Sequence, residues 1–316
     1  MNRAYLTTTV AIGGVLALAA GCSKPDVLQV HFQEGFERTY EIRQTVNNEM
    51  SMPIINEGMR QTQDSNVTLR IAVEGAAAEG PASVGVTIEK ARTGFKMSFM
   101  GETLSFEDDD PNNPIATATQ ALVGEEYQVT VAPDGDIVRV DGYDALLDKV
   151  LASLGTGAIS REEVAAYMTE MWNTDQERLS MQKSVFPRLP LTAVERGTTW
   201  TVNYMITNPF PMAIEDTYKV LNVHDDRITL DVASTLSPHP TESTIDFGGQ
   251  FSMSIQVNGD GEGFMEIDRA TGWINEASTT LRIRAEAEIQ GMPMALPGGM
   301  GKIPMTARIE YHSEAI

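Results

Sequence analysis

Residues able to do chemistry are few and scattered in this 316-residue chain. The densest group is "GMPMALPGGMGKIPM" (291–305), which sets Met292, Met294, Met300 and Met305 among Pro and Gly. Thioethers are soft donors suited to Cu(I), and they also make an adaptable greasy surface for a lipid or a partner. No His or Cys stands beside them, so the plainer alternative is a hairpin loop whose Met residues fold back onto a sheet edge. Acidic stretches come next. "EDDDPNN" (107–113) and "NGDGEG" (258–263) crowd the oxygen donors that calcium prefers, which makes Asp108, Asp109, Asp110, Asp260 and Glu262 the calcium candidates. Neither loop has EF-hand spacing, and a glycine-rich turn between strands explains the second, so no metal is expected. His31, His224, His239 and His312 lie too far apart in sequence to suggest a zinc or acid–base site. The sequence has no G-x-S-x-G, H-E-x-x-H, Walker loop or C-x-x-C. No catalytic residue, enzymatic activity or cofactor is expected.

The single cysteine, Cys22, lies in "LALAAGCSK" (16–24). Ahead of it lie one basic residue, Arg3, and an apolar run from Val10 to Ala20, the pattern of a signal peptide. The uncharged stretch from Ala4 to Ala20 falls short of the roughly 20 apolar residues a spanning helix needs. Ala19, Ala20 and Gly21 before Cys22 resemble the lipobox of bacterial lipoproteins, in which the cysteine becomes the acylated first residue. That resemblance implies lipidation at Cys22 and leaves no thiol for a disulfide. It also implies a membrane partner through the lipid, and Ser23 in place of Asp matches the outer-membrane sorting pattern of a cell-envelope lipoprotein facing the periplasm.

What must position any site is a set of alternating strands. Val67, Leu69, Ile71 and Val73 alternate with polar or small residues, as do Val84, Val86 and Ile88. Later sets are Trp200, Val202, Tyr204 and Ile206, then Leu281, Ile283, Ala285 and Ala287, and last Met305, Ala307, Ile309 and Tyr311. One dry and one wet face mark antiparallel sheet. The middle differs: "YDALLDKVLASL" (143–154) has a helical stripe, and Ser160 with Glu163 forms a capping box opening a second helix through Val164, Tyr167, Met168, Met171 and Trp172. Gly124, Glu125, Tyr127, Gly135 and Ile137 recur at a constant offset as Gly261, Glu262, Phe264, Gly272 and Ile274, which suggests a duplicated module.

Composition agrees with an envelope protein that binds no nucleic acid. Asp and Glu number 44 against 23 Lys and Arg, a formal charge of −21, and the chain has no basic cluster with which to meet a polyanion. "ALVGEEYQVTVAPDGDIVRVDGYDALLDKV", followed by a helical segment, "FPRLP" and "GTTW", resembles an uncharacterised family of bacterial envelope lipoproteins built on a domain of unknown function. The positions that carry the resemblance are Gly135, Gly142, Leu189, Pro190, Gly197 and Trp200. These are turn and core residues, so the resemblance implies fold and location and no reaction.

The expected fold is mainly β (α+β), with curved antiparallel sheets, a half-barrel module that the offset suggests is duplicated, and a central helical insert packed on the sheet. Residues 1–21 read as the signal peptide, 22–35 as a tether and first extended segment, 36–141 as the first β region, 142–186 as the helical segment and 187–316 as the second β region. The expected role is a lipid-anchored, non-catalytic envelope protein holding an apolar ligand or lipid on the dry sheet face. The rival is a scaffold lipoprotein with a packed core and a protein partner.

Overall fold

The computed structural model describes residues 27–52, 57–77, 80–99, 101–106, 114–153, 174–206, 211–241, 244–246, 252–290 and 302–316. Among these, thirteen strands join in one antiparallel sheet. They are β1 (Glu37–Met52), β2 (Glu57–Ala76), β3 (Ala82–Phe99), β4 (Glu102–Phe106), β5 (Glu126–Val131), β6 (Ile137–Asp141), β7 (Thr199–Ile206), β8 (Met212–Val223), β9 (Arg227–Pro238), β10 (Thr244–Asp246), β11 (Ser252–Asp268), β12 (Ile274–Gln290) and β13 (Lys302–Ala315). The described helices are α1 (Pro114–Gln120), α2 (Tyr143–Ser153) and α3 (Thr174–Ser184). The expected second helix, Ser160 to Trp172, lies outside the described residues. Helix α1, inside the first β region, has no counterpart in the sequence-based expectation.

The alternation that marks these strands also fixes which face is buried. In β13, Ile303, Met305, Ala307, Ile309 and Tyr311 turn to the covered side, while Lys302, Pro304, Thr306, Arg308 and Glu310 are exposed. A one-residue slip would exchange these sets, so the pattern pins the register. The two expected β regions are not separate sheets. Strand β13 pairs with β1 on one side and β12 on the other, which makes a single curved sheet.

Spatial order across the sheet is β6, β5, β3, β2, β1, β13, β12, β11, β9, β8, β7. Strands β1, β2, β3, β5 and β6 form one meander. Strands β7, β8, β9, β11 and β12 form a second, laid down in the same sense. Each detours after its third strand, the first through β4 and α1, the second through β10. The hairpins β5–β6 and β11–β12 therefore hold equivalent places, as the sequence offset predicts. Their turn glycines, Gly135 and Gly272, both adopt left-handed φ, 79° and 72°. The correspondence stops at the other glycine pair. Gly124 is a left-handed turn residue ahead of β5, whereas Gly261 lies mid-strand in β11.

One end of the curved sheet is sealed. Residues 27–33 cross it as a strap: Leu28 N–H donates to Thr192 O, Val30 N–H to Pro133 O and His31 N–H to Thr271 O. Beneath the strap Phe36 and Phe186 meet Trp273 edge-on at 5.1 and 4.8 Å, and the fully buried Trp273 donates its indole N–H to His31 O. Edge-on pairs of this kind add roughly 0.5–1.5 kcal/mol each beyond the area they bury. Around this plug Tyr40, Ile71, Val84, Val129, Leu230 and Ile267 are fully buried. That core draws on residues from both meanders.

Candidate functional site

Helix α3 crosses the concave side of the sheet and touches β6, β7, β12 and β13. It is a polar helix, "TDQERLSMQKS", and polar groups fasten it. The fully buried Asp216 of β8 forms an ion pair with Lys183 and accepts hydrogen bonds from Ser234 Oγ at 2.7 Å and Tyr218 OH at 3.4 Å. Lys183 Nζ also stands 5.1 Å from the centre of the Tyr204 ring. At the other end Glu177 accepts a hydrogen bond from Tyr127. Desolvation pushes the Glu177 carboxyl above its ordinary pKa of 4.5, against the opposing pull of hydrogen bonds from Tyr127 and Tyr143. Burial raises both of those phenols as well, and the Glu177 charge adds to the effect. At the helix's last residue, beside Lys183, Ser184 meets the Tyr311 hydroxyl, and Ser313 Oγ donates to Ser184 O at 2.8 Å. These contacts latch a helix to a sheet.

Away from the strap the same sheet face stays buried on β8, β9 and β11, where Ile214, Leu236, Ile255 and Val257 form a second core with Ala287 of β12, and it opens towards β13, β1 and β2. On the far halves of β12 and β13, Leu281, Ile283, Ala285, Met305 and Ile309 are only half-buried, although they continue the covered face. Beside them on β1 and β2 that face carries Val46 and Met50 together with the amides Asn48, Gln61 and Gln63. The opposite face of these strands is a ladder of charges, with Arg282 paired to Asp260 and Glu262, Lys302 to Glu286, Arg308 to Glu310 and Arg60 to Glu49. The concave face is thus a trough with an apolar wall on β12–β13 and an amide wall on β1–β2.

A second concavity, an open cleft of about 650 Å³, runs along the free edge of β7. Thr201 to Met205 form one wall. Asp175, Arg178, Leu179 and Gln182 of α3, with Arg188 and Asp136, form the other. Arg188 pairs with both Asp134 and Asp136, and Trp200 donates its indole N–H to Arg188 O.

The residues singled out from sequence fall as follows. Cys22, Asp108, Asp109, Asp110, Met292, Met294 and Met300 lie outside the described residues. Met305 is half-buried on the trough face of β13 and is not part of a loop. Asp260 and Glu262 are also strand residues, since "NGDGEG" runs through the interior of β11. Both carboxylates face Arg282 on β12 and accept hydrogen bonds from its guanidinium. The glycines there serve strand packing: a Cβ on Gly261 would stand 2.4 Å from Leu281 Cδ2 and 3.0 Å from Ser234 Cβ. The four histidines stay apart, His31 in the strap, His224 in the β8–β9 turn, His239 beyond β9 and His312 in β13. No cluster of three or more metal-ligating side chains occurs among the described residues. Sequence reading missed Asp216, whose signal is a carboxylate in the dry phase of "AIEDTYKVL" between Ile214 and Tyr218.

Comparison with known proteins adds the lineage. The family described as "Family of unknown function (DUF6263)" matches residues 82–274, which include the turn and core motifs noted above. The chain belongs to this DUF6263 family. No curated protein matches it by sequence. Among solved structures the chain is similar to lipovitellin, at 8% identity and a TM-score of 0.46 over 89% of this chain and 25% of that one. It is also similar to Pseudomonas aeruginosa OccK7 (OpdD), at 7% and 0.20 over 89% and 99% of the two chains. For P. aeruginosa OprD the values are 6% and 0.23 over 92% and 97%. The chain spans about a quarter of the lipovitellin chain it matches.

Proposed function

We propose that this DUF6263 protein is a non-catalytic carrier at the bacterial cell envelope, tethered by acyl chains on Cys22, which holds an amphiphile such as a fatty-acyl lipid in its trough. The observation that carries this reading is the half-burial of Leu281, Ile283, Met305 and Ile309 on the same sheet face as the fully buried Tyr40, Ile255 and Val257. An apolar wall that the protein leaves incompletely covered gains about 25 cal/mol for each Å² a ligand removes from water. The amides of Asn48, Gln61 and Gln63 across the trough suit the polar end of such a molecule, whereas a purely hydrocarbon guest would leave them unpaired. An outer-membrane position facing the periplasm follows from the lipobox-like leader and Ser23.

The test is mass spectrometry of organic extracts from protein that starts after Cys22 and is purified without detergent. Stoichiometric lipid is expected, and Ile283→Glu combined with Ile309→Glu should abolish it while the fold persists. Clean wild-type protein that also takes up no added fatty acid would overturn the reading. Tethering is tested by labelling cells with an alkyne fatty acid: wild type should acquire the label and Cys22→Ser should not.

A further inference from the structure

The repeat of the two meanders leaves one slot without a strand. Strand β13 fills the place between β12, the last strand of the second meander, and β1, the first strand of the first. Its counterpart would lie between β6 and β7. Among the described residues the outer edge of β7 pairs with no backbone, and the cleft runs alongside it. We propose that this edge receives an extended peptide segment of a partner protein, which adds a strand to β7 as β13 adds one to β1.

Three observations favour this occupant. The first is how the two free edges are defended. Natural sheets blunt an edge with shortness, charge or proline. Strand β6 is five residues long and carries the Arg139–Asp141 pair. Strand β7, "TWTVNYMI", has eight residues with no charge and no proline, and its Met205 is 53% exposed. The second is the wall opposite. Helix α3 with Asp136 stands across from Thr201–Met205, so the edge opens into a bounded cleft and not onto a free flank where a second copy's whole sheet could continue. The third is Arg178, whose Nε is buried and has no hydrogen-bond partner among the described residues; its guanidinium reaches Asp175 only at 3.8 Å. The side chain as a whole is 40% exposed, so a carboxylate on the incoming strand can pair with the outer nitrogens of its guanidinium. The partner segment is therefore extended, uncharged where it lies against β7, and acidic where it passes Arg178.

The experiment selects phage-displayed random linear heptapeptides on the full chain and synthesises the best binder. It then methylates the binder's backbone nitrogens one at a time. In a strand, successive N–H groups point to opposite sides. Methylation at alternate positions should therefore weaken binding by about tenfold or more and at the intervening positions much less. Asn203→Pro on the β7 edge should weaken binding comparably, Val138→Pro on β6 should leave it unchanged, and Arg178→Ala should weaken peptides that carry a carboxylate. If Asn203→Pro fails to fold, the methylation scan on the unchanged chain decides alone. The proposal is overturned if no peptide is enriched, if the scan shows no alternation, or if binding survives in folded Asn203→Pro. A dimer in analytical ultracentrifugation that Asn203→Pro converts to monomer would overturn it too, by giving the edge to a second copy.

Discussion

Replacing Lys183 with Met tests whether α3 is held by a buried charge or merely rests on the sheet. Methionine keeps most of the aliphatic stem and deletes the ammonium. Asp216 then remains fully buried with two hydroxyl partners, Ser234 and Tyr218, and no counter-charge. Removing one member of such a pair typically costs about 3–5 kcal/mol, because the remaining charge keeps its desolvation penalty and loses its compensation. Lys183 is itself 15% exposed, so some water reaches the pair and the lower half of that range is expected here. The assay is urea unfolding followed by far-UV circular dichroism and Trp fluorescence, with Lys183→Met lowering the midpoint at unchanged slope. Asn at 216 can accept from Ser234 and donate to Tyr218 without carrying charge. The double variant Lys183→Met with Asp216→Asn should therefore recover about 2 kcal/mol relative to Lys183→Met alone. A cost below about 1 kcal/mol for Lys183→Met, or a double variant equal to the sum of the two singles, would refute a stabilising buried pair.

Other outcomes follow from the same geometry. Because the folded-state pKa of Glu177 is raised, its contribution is fully present below the ordinary value of 4.5 and is lost as pH rises through the folded value. Wild-type stability should therefore fall, relative to Glu177→Gln, on going from pH 4.5 upward, by at most about 1.4 kcal/mol per pH unit; parallel denaturation curves across that range would contradict the desolvated carboxyl. Gly272→Ala should destabilise by more than the roughly 1–2 kcal/mol of a left-handed alanine, since its Cβ would fall 2.2 Å from Gln29 O beneath the strap; a smaller loss in thermal denaturation would show that the strap yields. Arg282→Ala on the outer ladder should leave the melting midpoint unchanged, because exposed pairs contribute little. Added calcium should leave the wild-type midpoint unchanged too, and a rise that requires Asp260 would restore the metal reading.

The strands were legible because period-two alternation survives wherever one sheet face is dry, and β13 follows it almost without interruption. Turn chemistry misled at "NGDGEG": Gly, Asp and Asn favour turns locally, but in β11 neighbouring strands press so closely that only Gly fits, and tertiary packing overrides propensity. Strand β8 escaped notice because Asp216 interrupts its dry phase, and its partner Lys183 is distant in sequence on a helix with no apolar stripe. Neither residue signals the other until the fold brings them together. The trough was legible only as a dry face. Whether such a face is packed or half-covered depends on what lies over it, and alternation does not encode that.

The strap explains why the two ends of the sheet differ. Successive amides of an extended chain point in opposite directions. Val30 N–H therefore reaches Pro133 in the β5–β6 turn, while His31 N–H reaches Thr271 in the β11–β12 turn. A single pair of residues grips both repeated hairpins at once. The strap lies so close that Gly272, against Gln29 O, has no room for a side chain, and Gly135 is crowded in the same way by Pro187 O, which follows α3. Val27 follows Cys22 by five residues, a reach of at most about 18 Å, so a lipid at Cys22 would hold the sealed end beside the bilayer. Strand β1 then runs outward over sixteen residues, roughly 50 Å at 3.3 Å per residue, with the trough on its far part from Val46 to Met50. An anchored carrier built this way would present its half-covered face away from its own membrane.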